Sequence, residues 1–267
     1  AKTGFFERQE PIEDYDYSFA FVGDTQFLVE KDAQNGTTSY AGPIFDWIVA
    51  NKTAKNIQHV FGLGDITDGN TDAEWEYAVT LYEKLGAAGV DYSLVSGNHD
   101  DYTTPAAKYN KYFGKVSSFV DSVDGFYQEG HLENFYKKFD VGTQKYMVIG
   151  LLYGAKDDVL EWANGVVAAN PDRQVIVITH SLFNAEGNWA HPDTSAQTTT
   201  SRKEKKSNRK SLKLLFFINI YINSSSKGIH MAIVVYTFIQ PSQNIESLPL
   251  MESSRYLSKS VIVFASI

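Results

Sequence analysis

The chain has 267 residues, 14% aromatic content, a formal charge of −8 and no cysteine, which suits one large domain, alone or with an appendage. Without cysteine there is no disulfide framework, thiolate metal site or thiol nucleophile, so any bound metal must sit on oxygen and nitrogen. Residues 1–201 hold 14 basic and 29 acidic residues whereas residues 202–267 hold 10 and 3, and the acidic body argues against nucleic acid or an anionic membrane as its main partner.

In chain order, Tyr17 to Val22 is apolar enough for a buried strand and ends in Gly23-Asp24-Thr25-Gln26. Within residues 43–54, Ile44, Trp47 and Ile48 recur at helical spacing, predicting a helix packed on a sheet. A second strand, Ile57 to Leu63, runs into Gly64-Asp65-Ile66-Thr67-Asp68. Thr71 and Glu74 form a capping-box pattern ahead of Trp75, Val79 and Tyr82, a helix that stops near Gly89. The third strand, Asp91 to Val95, leads into Ser96-Gly97-Asn98-His99-Asp100.

A short helix over Pro105 to Phe113 follows, then an antiparallel hairpin of Phe135 to Val141 and Tyr146 to Leu152. Asp157 to Ala169 reads as a helix, and Val175 to Ile178 as a fourth strand ending in Thr179-His180-Ser181. This order predicts an α/β domain with its chemistry at the carboxyl ends of the strands. Trp47, Trp75 and Trp162 fall at core-facing helical positions, while His59 and His131 are expected to be ordinary, partly exposed residues.

Beyond about Ala196 the pattern changes. Asp is absent after Asp193, a basic run over Lys205, Lys206, Arg209 and Lys210 appears, and two apolar stretches of 11 residues follow. Each is too short to span a bilayer, which takes about 20 residues. The expected organisation is therefore a body over residues 1–200 and an unassigned basic, serine-rich and apolar tail over residues 201–267, read as non-native or disordered. Contact of that tail with a membrane is a secondary expectation. The chain begins with Ala and has no charged segment leading into an apolar one, which favours a processed, secreted or extracytoplasmic protein.

The strand-end clusters supply Asp24 and Gln26, Asp65 and Asp68, Asn98, His99 and Asp100, and His180. Carboxylates, amides and imidazoles suit hard-to-borderline divalent ions such as Mn, Fe or Zn. A carboxylate shared by two ions holds them about 3.5–4 Å apart, and Asp65 is the candidate bridge. Neither a Gly-rich phosphate loop ending in Lys nor a Gly-x-Ser-x-Gly elbow offers another mechanism.

Taken in order, Gly23-Asp24-Thr25-Gln26, Gly64-Asp65-Ile66-Thr67-Asp68, Gly97-Asn98-His99-Asp100 and Thr179-His180 resemble the motifs of the calcineurin-like metallophosphoesterases, over residues 17–185. The resemblance implies a β-sandwich of mixed sheets flanked by helices, with the metal site at strand carboxyl ends. It implies two divalent ions held by Asp24, Gln26, Asp65, Asn98 and His180, with a hydroxide between them as nucleophile on a phosphate mono- or diester. It further implies that His99 assists the leaving oxygen, that Asp100 orients His99, and that Asp68 supports a ligand or its loop. The implied partner is a small phosphate ester or a phosphorylated substrate.

The chain departs from the family pattern twice. Gln26 stands where the first motif usually carries His, which looks like a subfamily trait. After His180 nothing matches the family's Gly-His-x-His; Lys227-Gly228-Ile229-His230 holds a single imidazole. The alternative implied is a truncated or non-catalytic relative with an incomplete metal site.

Overall fold

The computed structural model describes residues 15–36, 39–101 and 106–180, together with the backbone of Met231–Val235 and Ser260–Ala265. Two sheets face one another. The first has the order β3-β2-β1-β9 (Tyr92–Leu94, Ile57–Gly62, Tyr17–Val22, Ser260–Ala265), and every pair in it is parallel. The second has the order β4-β5-β6-β7-β8 (Gly125–Phe126, Phe135–Val141, Gln144–Gly150, Gln174–Thr179, Met231–Val235), antiparallel as far as β6 and parallel beyond it.

Alternation along the strands decides what each face covers. In β6, Tyr146 and Val148 join the core between the sheets, while Met147 and Ile149 pack under helix α6 (Asp157–Ala169) with Val159, Leu160, Ala163 and Val167. In β7, Ile176 and Ile178 take the inner core and Val175 and Val177 the outer one. Aromatic rings fill the space between the sheets: Phe19 meets Phe139 and Tyr146 edge-on at 6.0 and 5.4 Å between centroids.

Four helices precede or follow the strands of the first sheet: α1 (Gln26–Asn35), α2 (Gly42–Asn51), α3 (Asp72–Ala87) and α4 (Ala107–Phe113). A short α5 (Ser117–Val120) leads to β4. Helix α3 starts at a full capping box between Thr71 and Glu74, as the sequence predicts, and buries Trp75, Tyr82 and Leu85. Trp47, expected in the core, is instead 40% exposed; Phe45 and Ile48 form the buried stripe of α2. Among the described residues no helix is long and apolar enough to cross a membrane.

His59 corrects another expectation. It is fully buried, stacked on Phe139 at 4.4 Å, with Nδ1 3.1 Å from Asp91 Oδ2 and Nε2 3.0 Å from Ser93 Oγ. Lys137 of β5 reaches the other Asp91 oxygen and the carbonyl of Tyr92, so the cluster ties one sheet to the other.

Two strands fall within residues 201–267, the segment expected as an unassigned, non-native or disordered tail. Met231–Val235 pairs with β7 in register Val175–Met231 to Thr179–Val235, and Ser260–Ala265 pairs with β1 from Tyr17–Ser260 to Val22–Ala265. Parallel pairing requires only apolar, β-prone segments and a long connection. Runs such as Met-Ala-Ile-Val-Val and Ser-Val-Ile-Val-Phe-Ala meet the first requirement, whereas which strand they join depends on the sheet edges left open. The boundary near residue 200 and the basic run Lys205 to Lys210 lie outside the described residues.

Candidate metal centre

Four strands deliver the candidate residues to one rim of the sandwich, each just past its last residue: Asp24 after β1, Asp65 after β2, Asn98 and His99 after β3, and His180 after β7. Asp24 and Asp65 both sit in the left-handed region, at φ 55° and 48°. For a residue with a Cβ that costs about 1 kcal/mol or more, and Asp tolerates it better than most. The bend is braced by Asp24 N donating to Gly64 O at 3.2 Å.

Two glycines let these turns close on one another. A Cβ on Gly97 would lie 2.2 Å from Asp65 Oδ1 and 2.3 Å from Asp65 N; one on Gly64, itself at φ 90°, would lie 2.8 Å from both Gly97 N and His180 Cβ. Any side chain there would push the second and third motifs apart.

The donor chemistry fits a cation. His180 Nδ1 lies 2.9 Å from the carbonyl of Leu63, which can only accept, so the ring proton is on Nδ1 and Nε2 offers its lone pair. That lone pair faces Asn98 Oδ1 at 3.1 Å and Asp65 Oδ2 at 3.3 Å. The Gln26 amide is best satisfied with its nitrogen donating to the carbonyls of Asp24 and Asp65, at 2.9 and 3.2 Å. Its oxygen then takes the position 3.4 Å from Asp65 Oδ2.

Lone pairs of His180, Asn98, Asp65 and Gln26 therefore converge, which is repulsive unless positive charge lies among them. One ligand atom each from Asp24, Asp65 and His180 lie within 4.8 Å of one another, the metal-type cluster found among the described residues. All three side chains are nearly inaccessible, at 5%, 3% and 1% exposure.

The electrostatics carry the same signature. Burial works against the Asp65 charge, but the His180 imidazole and the His99 backbone N–H hold its carboxyl below the usual range. His180 is pulled down by burial and, more strongly on balance, pushed above its ordinary value by Asp65, by Asp24 and by the Leu63 carbonyl. A cation would take the place of that proton.

His99 stands beside this cluster. Its backbone N–H donates to Asp65 Oδ1 at 3.0 Å, and its side chain is 37% exposed. The carboxylate at its Nδ1 is Asp68, 3.0 Å away, which corrects the expectation that Asp100 orients it. Asp100 is buried and its oxygens go elsewhere: they accept from Ile66 N, Gly97 N, Thr67 N and Thr67 Oγ1 at 2.7–2.9 Å. Asp100 thus joins the second motif to the third. Burial and the Asp65 charge push its carboxyl up to about 6 against the pull of those backbone N–H groups.

The five candidate ligands are thus brought to one place, with His99 at its edge and Asp100 behind the loop. His230 lies outside the described residues. Sequence reasoning leaves out the carbonyl of Leu63, which sets the His180 tautomer, since no side-chain pattern marks a backbone acceptor. It also passes over Phe27, 51% exposed with its ring 6.4 Å from that of His99, and Tyr153, 6.0 Å from His180. For Phe27 a signal exists, an aromatic directly after Gln26 on a polar helix.

Comparison with known proteins gives three findings. A sequence profile described as calcineurin-like phosphoesterase matches residues 17–214. The chain is 30% identical over 183 residues to "Uncharacterized protein YvnB" of Bacillus subtilis (strain 168), a match covering 64% of this chain and 13% of that protein. Among solved structures it resembles the purple acid phosphatase PPD1 of yellow lupin (Lupinus luteus) seeds, with TM-score 0.39 and 17% identity over 65% of this chain and 33% of that one.

Proposed function

Because the chain belongs to the calcineurin-like phosphoesterase family, whose profile matches residues 17–214, we propose that Asp24, Gln26, Asp65, Asn98 and His180 hold a divalent cation against which a phosphate ester docks. We infer further that the chain by itself is an incomplete-site relative, holding a single ion more weakly than a full ligand set would and turning esters over slowly. The observation that carries this reading is the convergence of lone pairs from His180, Asn98, Asp65 and Gln26, set beside a sequence without Gly-His-x-His after His180. Losing even an outer partner of a ligand costs about 10–100-fold in metal affinity, so absent ligands cost at least that.

When bound, the cation supplies Lewis-acid polarisation of the phosphoryl oxygens and acidifies bound water. The chain's own residues do the rest. Asp65, fixed by His99 N and by its own turn, presents Oδ2 to both sides of the cluster. His99, its Nδ1 beside Asp68, keeps Nε2 for the ester: with a proton on both ring nitrogens it gives the Nε2 proton to the leaving oxygen and is left as the neutral Nδ1–H ring. The acidic body favours a small phosphate ester or a phosphorylated group over nucleic acid.

A second reading, a complete dinuclear hydrolase, is favoured by one feature: Asp65 Oδ2 lies near both the Gln26 amide, at 3.4 Å, and His180 Nε2, at 3.3 Å, so that one carboxylate oxygen is shared by two candidate ligands. Metal analysis after dialysis, with turnover of p-nitrophenyl phosphate and bis-p-nitrophenyl phosphate in added Mn, separates the two. One ion per chain with weak turnover supports the incomplete site. Two ions with rapid turnover establish the hydrolase, and no ion at all defeats both.

A further inference from the structure

The turn that carries Asp68 is held by a side chain that belongs to none of the motifs. Glu74, 2% exposed, accepts through Oε1 from Asp68 N at 2.9 Å and Gly69 N at 3.0 Å, and through Oε2 from Thr71 N at 2.8 Å and Thr71 Oγ1 at 2.6 Å. Asp100 takes the preceding pair, Ile66 N and Thr67 N. Backbone donors of residues 66, 67, 68, 69 and 71 therefore end on two buried carboxylates.

A capping-box Glu needs only to reach back to the N-cap N–H. Here that bond, from Thr71, is one of four; the bonds to Asp68 and Gly69 extend past the cap into the turn. They are charge-assisted and shielded from water, so they resist displacement better than neutral surface bonds.

We propose that Glu74 is a positioning residue of the site: by holding the backbone of Asp68 it sets that carboxylate 3.0 Å from His99 Nδ1 and fixes the imidazole with Nε2 available to the ester. The inference rests on the reading of His99 as the group that serves the leaving oxygen. An interaction six residues along the chain, between a helix and its preceding turn, thereby controls a side chain on another strand end.

The test reads the His99 tautomer by long-range ¹H–¹⁵N correlation in the full chain, at a pH where the same spectrum shows its ring to be neutral. In the wild type His99 is expected in the Nδ1–H form. Glu74→Gln keeps the size but puts an NH₂ against backbone donors, and should move His99 to the mixed tautomers of an unrestrained ring, as Asp68→Ala should directly. Thr71→Ala removes the cap hydroxyl but leaves the bonds to Asp68 N and Gly69 N, so it should lower the melting temperature with no change at His99.

If Glu74→Gln melts early like Thr71→Ala yet keeps His99 in the wild-type form, Glu74 is only a cap and the proposal is wrong. Should Glu74→Gln fail to fold, Gly69→Ala decides. Its Cβ would lie 3.2 Å from Glu74 Oε2 and crowd the carboxylate, so a partial tautomer change supports the proposal and an unchanged spectrum overturns it. No substrate is present in these measurements. A chain with the expected tautomer response and no turnover would therefore count against the hydrolytic reading alone.

Discussion

Asp65 is held in place by the fold itself. Its φ of 48°, its contact with His99 N and the absence of a Cβ on Gly97 leave its carboxylate one way to point. Preorganisation of this kind means that the site should be sensitive to small steric changes as well as to ligand loss. Gly97→Ala, whose Cβ would lie 2.2 Å from Asp65 Oδ1, is expected to weaken Mn binding by about tenfold or more, as disturbing an outer partner does. Isothermal titration measures this, and wild-type affinity would show that the turn can yield.

Asp65→Asn and His99→Ala separate holding the metal from serving the ester. The first removes a charged ligand and should abolish metal retention through dialysis together with any turnover. The second leaves all five candidate ligands in place and should retain the metal while lowering kcat by about 10²–10⁴-fold, the usual worth of a positioned proton donor. Equal metal loss in the two variants would show that His99 is itself a ligand.

Among the elements, β2, the residue that opens β3 and β5 share the cluster of buried His59 and Lys137 with the partly exposed Asp91, towards the end of the first sheet opposite the candidate metal centre. Burial holds the His59 imidazole below its ordinary value of 6.5, with Lys137 adding to that and Asp91 opposing it. A group kept neutral in the fold but free to protonate when unfolded contributes stability that is present above 6.5 and lost as pH falls below it. Asp91, although penalised by burial, is drawn down to about 2 by His59 and Lys137, so its contribution is lost only at lower pH, between about 3.8 and 2.

His59→Gln is expected to be less stable than the wild type at pH 8, since it forfeits the ring stack on Phe139, and to show a smaller drop between about pH 7 and pH 5. Urea unfolding across that range gives the comparison, with parallel curves for the two proteins counting against the assignment.

At the scale of the whole molecule, one edge strand of each sheet comes from beyond residue 230. β9 lies on β1 and β8 on β7, the strands that lead to Asp24 and His180. A chain ending at Thr200 should expose β1 and β7 as sheet edges, which invites association. It should aggregate at concentrations where the full chain does not, with a melting temperature lowered by more than the about 2–4 °C that a single lost kcal/mol gives in a domain of this size. Light scattering and circular dichroism test this, and an unchanged melting temperature would show that these two strands do not support the body.

What the sequence determined by itself was the local chemistry: the capping box at Thr71 and Glu74, the turn between β5 and β6, the run Tyr17 to Val22, and the motifs that end each strand. Each depends on residues within a few positions of one another, where alternation, capping and turn preference act. Tertiary structure decided which lone pairs meet. Asp68 and Asp100 lie equally close to the motifs on paper, yet only Asp68 reaches the His99 ring, because the buried N–H groups of Ile66, Thr67 and Gly97 claim both oxygens of Asp100. His59 reads as an ordinary strand histidine until Lys137 and Phe139 of the other sheet close over it. Contacts between residues 30 to 120 positions apart are set by how sheets stack and which buried polar groups must be satisfied, and no local pattern encodes that.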